Sequence, residues 1–310
     1  YKYVKAHLNS ITKVDVDAVA KDYIRDINRD ILILAPETDK SDLPDSATVI
    51  GWIDGISKEK IAVYNDQTVS GKLLPEKPTA GRVIKEESIP KLGIEELTLS
   101  NGVKVILKPT SYKNDEILFN GFASGGTSLS DEQNYISAVN ASSVLGSMGL
   151  AGYNPVQLSR LLTGKMVRVE TYIVDRTEGV HGSTTVKDLE TAMQLMYLKF
   201  TWPGKDTTIF NNIIASAGQS LENKYANPTN VFEDTINYIM GGYNDRYKPC
   251  TKERLKELNL DSAFSFYKDH FGDASGFTFV LVGNFNSDSI RPLLETYLGS
   301  LPSTGRREKA

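Results

Sequence analysis

The residue types that most often bind metals or catalyse reactions are scattered along this sequence. Its three histidines, His7, His181 and His270, lie far apart, and none has another histidine three or four residues away. Two imidazoles on one helix lie on the same face and can coordinate one metal ion only when they are three or four residues apart. We therefore expect the three histidines to be ordinary surface or turn residues rather than metal ligands.

The single cysteine, Cys250, shows no sign of nucleophilic chemistry. It follows Pro249 and precedes Thr251, and no histidine stands near it in the sequence. A catalytic thiol needs a base that converts it to the thiolate. One cysteine also excludes an internal disulfide bond and a cysteine-based zinc site, so we expect Cys250 to be a loop residue.

The segment GFASGGTS (Gly121–Ser128) differs by one residue from the phosphate-loop pattern G-x-x-x-x-G-K-[ST], because Thr127 stands at the lysine position. That lysine reaches the phosphates of a bound nucleotide, and Asp131 and Glu132 would repel those phosphates. The sequence therefore predicts a tight turn between a strand and a helix rather than a nucleotide site.

Two pairs of neighbouring acids, Glu86 with Glu87 and Glu95 with Glu96, could in principle supply a general acid and a general base. They lie in or beside a stretch rich in proline, serine and charged residues. We interpret them as part of a solvated linker.

Length and charge exclude several classes of function. A chain of 310 residues can bury a sizeable core in one large domain or two ordinary ones. Its 35 Lys and Arg residues against 39 Asp and Glu residues, with no basic run, make nucleic acid an unexpected partner. No apolar run is long enough for a membrane span, and the first residues, YKYVKAHLNS, lack the apolar core of a signal peptide.

The elements that must position any site include an internal repeat. VDVDAVAKDYI (14–24) and LNLDSAFSFYK (258–268) share a pattern of apolar, acidic and aromatic positions. Each continues through a polar turn into a β-rich run, at 30–36 and at 277–283. The pattern predicts a helix, a turn and a buried strand in both places.

The repeat predicts three regions: residues 1–38 form the C-terminal tail of one α/β unit, 39–92 a linker with a short helix, and 93–310 the next unit. Within the last region, Asn101-Gly102 between alternating apolar residues predicts a hairpin. A strand at 117–123 and long helices follow. The fold class is therefore α+β, with antiparallel sheets covered by long helices.

Several segments resemble the insulinase/pitrilysin family of zinc peptidases, the inverzincins, in the form common in bacterial envelopes. These are LTLSNGVKVILKPT, FASGGTSL, GSTTVKDLETAMQLMYLKFTWP and FTFVLVGNFNSDSIRPLLETYLGSLPSTGRRE. The resemblance implies four related α/β units in two halves that close around a chamber for unfolded peptides. It makes 39–92 the linker between the halves and 93–310 a third, non-catalytic unit.

In a catalytic unit of that family, a helix carries H-x-x-E-H, which binds zinc and activates water. Aligned with ISAVNASSVL, this motif falls on Val139, Ser142 and Ser143, which are not zinc ligands. The third ligand, a glutamate, would fall near Ala217 and Gly218. The resemblance therefore implies no catalytic, cofactor-binding or metal-binding residue in this chain, and it places zinc in an upstream half.

The resemblance implies that this chain is a non-catalytic part of a zinc metallopeptidase, inactive alone, that forms chamber wall and limits substrate size. Its partners would be the upstream catalytic half, a downstream fourth unit and unfolded peptides, with no nucleic acid and no membrane span. It favours the periplasm. The alternative is a zinc-free structural or binding protein of the same fold, similar to the core proteins of a respiratory complex.

Overall fold

The computed structural model of the chain describes residues 1–25, 27–56, 58–60 and 71–310. These residues divide into two compact units, Tyr1–Asp66 and Gln67–Ala310. The boundaries predicted at residues 38 and 92 stay a prediction. Residues 61–70 of the predicted linker lie outside the described residues.

The described residues of the first unit form three α-helices, α1 (Lys2–His7), α2 (Lys13–Tyr23) and α3 (Ser46–Ile56). Helix α2 begins with a capping box, because the Thr12 side chain accepts a hydrogen bond from the Asp15 N–H and the Asp15 carboxylate accepts one from the Thr12 N–H. The helix predicted for the first copy of the repeat is thus confirmed. None of the described residues in this unit is buried.

The strand predicted at residues 30–36 is not formed, since these residues are neither helix nor strand and Leu32 and Leu34 are exposed. A strand needs a neighbouring strand to pair its backbone N–H and C=O groups. No described residue of the first unit pairs with residues 30–36 in that way. An apolar run without a partner strand therefore stays irregular.

The second unit is built on one seven-stranded sheet with the order β1-β2-β3-β7-β4-β6-β5. Neighbouring strands are antiparallel except β3 and β7, which are parallel. The strands are β1 (Val83–Ile89), β2 (Ile94–Leu99), β3 (Lys104–Pro109), β4 (Ile117–Ser124), β5 (Val167–Ile173), β6 (Thr177–Thr184) and β7 (Thr278–Gly283). The mainly antiparallel sheet confirms the predicted fold class.

The hairpin predicted at Asn101-Gly102 joins β2 to β3. Gly102 has a φ of 87°, which only glycine adopts without strain, and the Leu99 N–H donates to the Val103 carbonyl across the turn. The Asn101 side-chain amide donates to the carbonyls of Leu298 and Leu301. The turn therefore also ties this end of the sheet to a segment almost two hundred residues later in the chain.

Helices cover one side of the sheet. Helix α10 packs against α4 and α6, and α4 and α6 both contact β5. The helices of this unit are α4 (Tyr135–Gly146), α5 (Pro155–Leu161), α6 (Leu189–Thr201), α7 (Thr207–Lys224), α8 (Pro228–Met240), α9 (Lys252–Leu255), α10 (Leu260–Phe271) and α11 (Ser287–Leu293). The second copy of the repeat thus forms both predicted elements, α10 and β7. No described helix is long and apolar enough to cross a membrane.

The core lies between these helices and the sheet. Phe200 of α6 is its aromatic centre, with ring centroids 5.3 Å from Phe271, 5.0 Å from Phe277 and 6.2 Å from Phe279. All four rings are buried. Burying a side chain of this size stabilises a fold by roughly 1.5–3 kcal/mol, and edge-to-face ring pairs add about 0.5–1.5 kcal/mol.

The one-sided burial predicts unequal effects for two leucines on neighbouring strands. Leu281 of β7 is 0% exposed on the helix-covered side, whereas Leu118 of β4 is 49% exposed on the other side. Leu281→Ala should lower the free energy of unfolding by about 2–5 kcal/mol, because it leaves a cavity in the core. The matched change Leu118→Ala should cost less than about 1 kcal/mol. Urea unfolding followed by circular dichroism measures both, and equal losses would contradict the one-sided core.

Candidate functional site

Helix α4 occupies the place at which the family resemblance puts the zinc helix. One side of this segment is a buried stripe, because Ala138, Ala141 and Leu145 of α4 and Met148 just after it are all buried. The positions aligned with the zinc ligands lie away from that stripe. Val139 and Ser143 are exposed and Ser142 is partly buried. The helix keeps its packing side, and the positions aligned with the zinc ligands carry no imidazole or carboxylate.

The position of the third zinc ligand falls on α7. Ala217 and Gly218 are both partly buried there, and neither has a side chain that can donate to a metal. A Cβ atom added at Gly218 would meet no other atom within 4 Å. The fold would therefore leave room for a side chain at Gly218.

The turn between β4 and α4 cannot cradle phosphate, because its amides already have partners. The N–H groups of Gly125, Thr127 and Ser128 donate to backbone carbonyls of the β5–β6 turn, and the Gly126 N–H donates to the Glu178 carboxylate at 2.8 Å. Thr127, at the position of the phosphate-binding lysine, is buried. This segment is a tight strand-to-helix turn, as predicted.

Arg246 holds the same turn from the outside. Its guanidinium donates to the carbonyls of Thr127 and Ser130 at 3.0 and 2.8 Å. It also pairs with Glu132 at 2.9 Å and lies over the Tyr135 ring, 4.7 Å from the centroid. Sequence patterns do not reveal this role, because Arg246 is more than one hundred residues from its partners.

The side of the sheet away from the helices carries exposed side chains, and we call it the open face. On β4 it presents Leu118, Asn120 and Phe122, and on β5 and β6 it presents Tyr172 and His181. The Tyr172 hydroxyl lies 3.4 Å from the Asn120 amide oxygen, and its ring centroid lies 5.7 Å from that of His181. Apolar and hydrogen-bonding groups are therefore mixed on this face.

A charged group borders the open face. Arg168 donates two hydrogen bonds to Glu170, at 2.9 and 2.8 Å, and His181 lies 3.6 Å from the same carboxylate. The hydrogen bonds from Arg168 lower the pKa of Glu170, while burial raises the pKa of Tyr172. Glu170 is thus a carboxylate and Tyr172 a neutral hydroxyl at neutral pH.

The structure brings together three residues that the sequence analysis did not connect. Glu178 of β6, His270 of α10 and Glu308 near the end of the chain place one potential ligand atom each within 4.8 Å of one another. The His270 Nδ1 atom lies 2.6 Å from Glu178 Oε2 and 3.6 Å from Glu308 Oε2. The side chains of Glu178 and His270 are each 2% exposed, and that of Glu308 is 16% exposed. An imidazole and two carboxylates are chemically able to hold a metal.

His270 and Glu308 both have raised pKa values. Burial lowers the pKa of His270, but its hydrogen bond to Glu178 and the charges of Glu178, Glu308 and Asp269 outweigh burial, so the pKa is raised. Burial, helped by the charge of Glu178, raises the pKa of Glu308. Both effects favour a proton in the group at neutral pH.

The remaining candidate residues have ordinary surroundings. Cys250 is an exposed residue in a loop, and His7 stacks on Tyr3 in α1. Glu86 pairs with Arg291 at 2.9 Å, and Glu95 accepts a hydrogen bond from Ser287. The acid pairs therefore lie on paired strands β1 and β2, which corrects their interpretation as solvated linker.

Comparison with known proteins finds proteases among the similar sequences and structures. The chain is 30% identical over 258 residues, 82% of its length, to the zinc protease PQQL-like of Arabidopsis thaliana. The crystal structure of the periplasmic protease PqqL from Escherichia coli aligns with 89% of the chain, with a TM-score of 0.68 and 19% identity. A peptidase M16 inactive domain from Pseudomonas fluorescens aligns with 70% of the chain, with a TM-score of 0.55 and 14% identity. No family model matches the chain.

The chain covers only part of the length of each of these relatives. The chain spans 24% of the Arabidopsis protein, 30% of the PqqL chain and 54% of the Pseudomonas fluorescens chain. The comparisons confirm the resemblance to the insulinase/pitrilysin zinc peptidases and the fold class that it implied.

The protonation of His270 predicts a pH dependence of stability. Because its pKa is raised in the folded state, its contribution to the free energy of unfolding is fully present below the ordinary histidine pKa of 6.5 and is lost as pH rises through the raised value. In the presence of a chelator, the urea midpoint should fall more between about pH 6 and about pH 9 in the natural chain than in His270→Gln. His181→Gln, at an exposed histidine beside Glu170, is the control and should keep the natural pH dependence.

Proposed function

We propose that this chain, a relative of the zinc proteases of the insulinase/pitrilysin (M16) family, is a non-catalytic part of a zinc-dependent metallopeptidase. The observation that carries the proposal is helix α4. The family resemblance aligns this helix with the zinc helix, and its buried stripe is kept, while Val139, Ser142 and Ser143 occupy the ligand positions. The enclosing protein would degrade peptides in a closed chamber, and this chain would form part of its wall.

The residues at the ligand positions of α4 support the proposal that the family's hydrolytic chemistry does not take place there. Water attacks a peptide bond at neutral pH after a metal lowers its pKa and a carboxylate takes its proton. A valine side chain has no lone pair, and serine hydroxyls are poor zinc ligands. The catalytic metal and its general base would therefore come from another half of the enclosing protein.

The open face has properties that suit a chamber wall. Seven strands at about 4.8 Å spacing give a surface roughly 30 Å wide, enough for an extended peptide of several residues. Leu118 and Phe122 offer apolar contacts, and Asn120 and Tyr172 offer hydrogen bonds without a strong charge of either sign. Such a mixture binds many unfolded sequences weakly, which supports a wall that confines substrate rather than a selective pocket.

The first test concerns catalysis. The chain alone, supplied with zinc, should not cleave an unstructured peptide. In a protein that joins it to a catalytic half, replacing both Ser142 and Ser143 with alanine should leave kcat/KM nearly unchanged, because neither serine holds metal or activates water. A loss of about a hundredfold in a folded double mutant, equivalent to about 2.7 kcal/mol, would contradict the proposal.

The second test concerns the open face. In the same joined protein, Phe122→Ser should raise KM for an unfolded peptide several-fold with little change in kcat, because it removes binding that substrate and transition state share. Tyr112→Ser is the matched control, since Tyr112 is an exposed aromatic residue in the loop between β3 and β4. If no zinc-bearing half supports cleavage, or if both variants behave alike, the zinc-free scaffold of the same fold becomes the better explanation.

A further inference from the structure

We propose that Glu178, His270 and Glu308 form a binding site for one divalent transition metal, with zinc as the probe that fits best. The site is separate from α4, and it does not depend on the proposed catalytic role of the enclosing protein. It differs from the expectation drawn from the sequence, in which no histidine of this chain binds metal.

The donor set suits zinc. Zinc takes imidazole nitrogen and carboxylate oxygen at about 2.0–2.2 Å, and three protein ligands with one water complete a tetrahedron. Donor atoms around such an ion lie roughly 3.3 Å apart. The present separations of His270 Nδ1 from the two carboxylates are 2.6 and 3.6 Å, and all three ligand atoms lie within 4.8 Å of one another. Shifts of roughly 1–2 Å would therefore bring them to the spacing of a coordination sphere.

Charge balance favours the metal. Two carboxylates lie beside one imidazole in this group, and a divalent ion matches the charge of two carboxylates. A divalent ion bound to Glu178, Glu308 and neutral His270 brings the sum to zero. The Arg306 guanidinium does not occupy the place of that ion. It pairs with Oε1 of Glu308 at 3.2 Å, whereas Oε2 of Glu308 faces His270.

The surroundings hold the three ligands in place from outside. The Gly126 N–H fixes Glu178, Arg306 fixes Glu308, and the Phe266 ring lies 4.1 Å from the His270 ring. Outer partners of this kind orient metal ligands and raise affinity. Gly125 leaves the space for both carboxylates, because a Cβ atom there would lie 2.6 Å from Glu308 Oε2 and 2.9 Å from Glu178 Oε2.

An entry path is present. A cavity of about 340 Å³ borders His270 and Glu308, and its wall includes the acids Asp131 and Asp269. Acidic walls attract cations. The ligands come from three separate parts of the chain, β6, α10 and the C-terminal segment, so a bound ion would link them as a structural metal does.

The test uses the 310-residue chain, purified without a histidine tag and stripped with a chelator. After incubation with zinc chloride and desalting, elemental analysis should find about one equivalent of zinc, and zinc should raise the melting temperature. His270→Gln and Glu308→Gln should each weaken zinc binding at least about tenfold. His181→Gln, beside an exposed glutamate, should bind zinc like the natural chain.

Two controls separate this inference from the proposed function. Zinc held at α4 would be lost in the Ser142→Ala, Ser143→Ala double mutant and kept in His270→Gln, which would overturn the proposed function and this inference together. Far less than one equivalent in the natural chain would overturn the inference alone. Glu308 lies at the rim of the site, so Glu308→Gln keeps the test decisive if His270→Gln fails to fold.

Discussion

The burial of only one side of the sheet is the constraint on which the rest of this structure depends. Strand β7 sits at the centre, parallel to β3 and antiparallel to β4, and its inward residues Phe279 and Leu281 are fully buried. Without β7 the remaining strands would form two separate sheets. The core under α6 and α10 therefore depends on a strand from the last part of the chain, and the other side of the sheet stays open.

The same one-sided burial applies to helix α4. Helix α4 contributes to stability through its buried stripe, whereas the positions aligned with the zinc ligands lie outside that stripe. Exchanging exposed or partly buried residues costs little stability, because no cavity forms and no buried polar group loses its partner. The packing side of α4 therefore does not depend on which residues stand at Val139, Ser142 and Ser143.

One carboxylate connects two otherwise separate features of the second unit. Glu178 accepts the Gly126 N–H of the β4–α4 turn and also lies against His270 of α10. A fully hydrogen-bonded turn and a charged group of three residues thus share a buried oxygen. The geometry of the strand-to-helix turn and the protonation of His270 are coupled through it.

Local signals in the sequence determined the helices, the Asn101-Gly102 hairpin and the fold class, because caps, turns and periodicity act over a few residues. The residue types at Val139, Ser142 and Ser143 are likewise read directly from the sequence. Only the tertiary structure decided the features that depend on residues far apart in the chain, namely strand pairing and the contact between Glu178 and His270. Residues 30–36 have a strand-like composition, but no described residue of the first unit forms a strand beside them. In contrast, β1 lies within the predicted linker and pairs with β2. Glu178 and His270 stand 92 residues apart, so no spacing rule could connect them. They meet because Glu178 lies on the buried side of the sheet, where His270 of α10 is also buried.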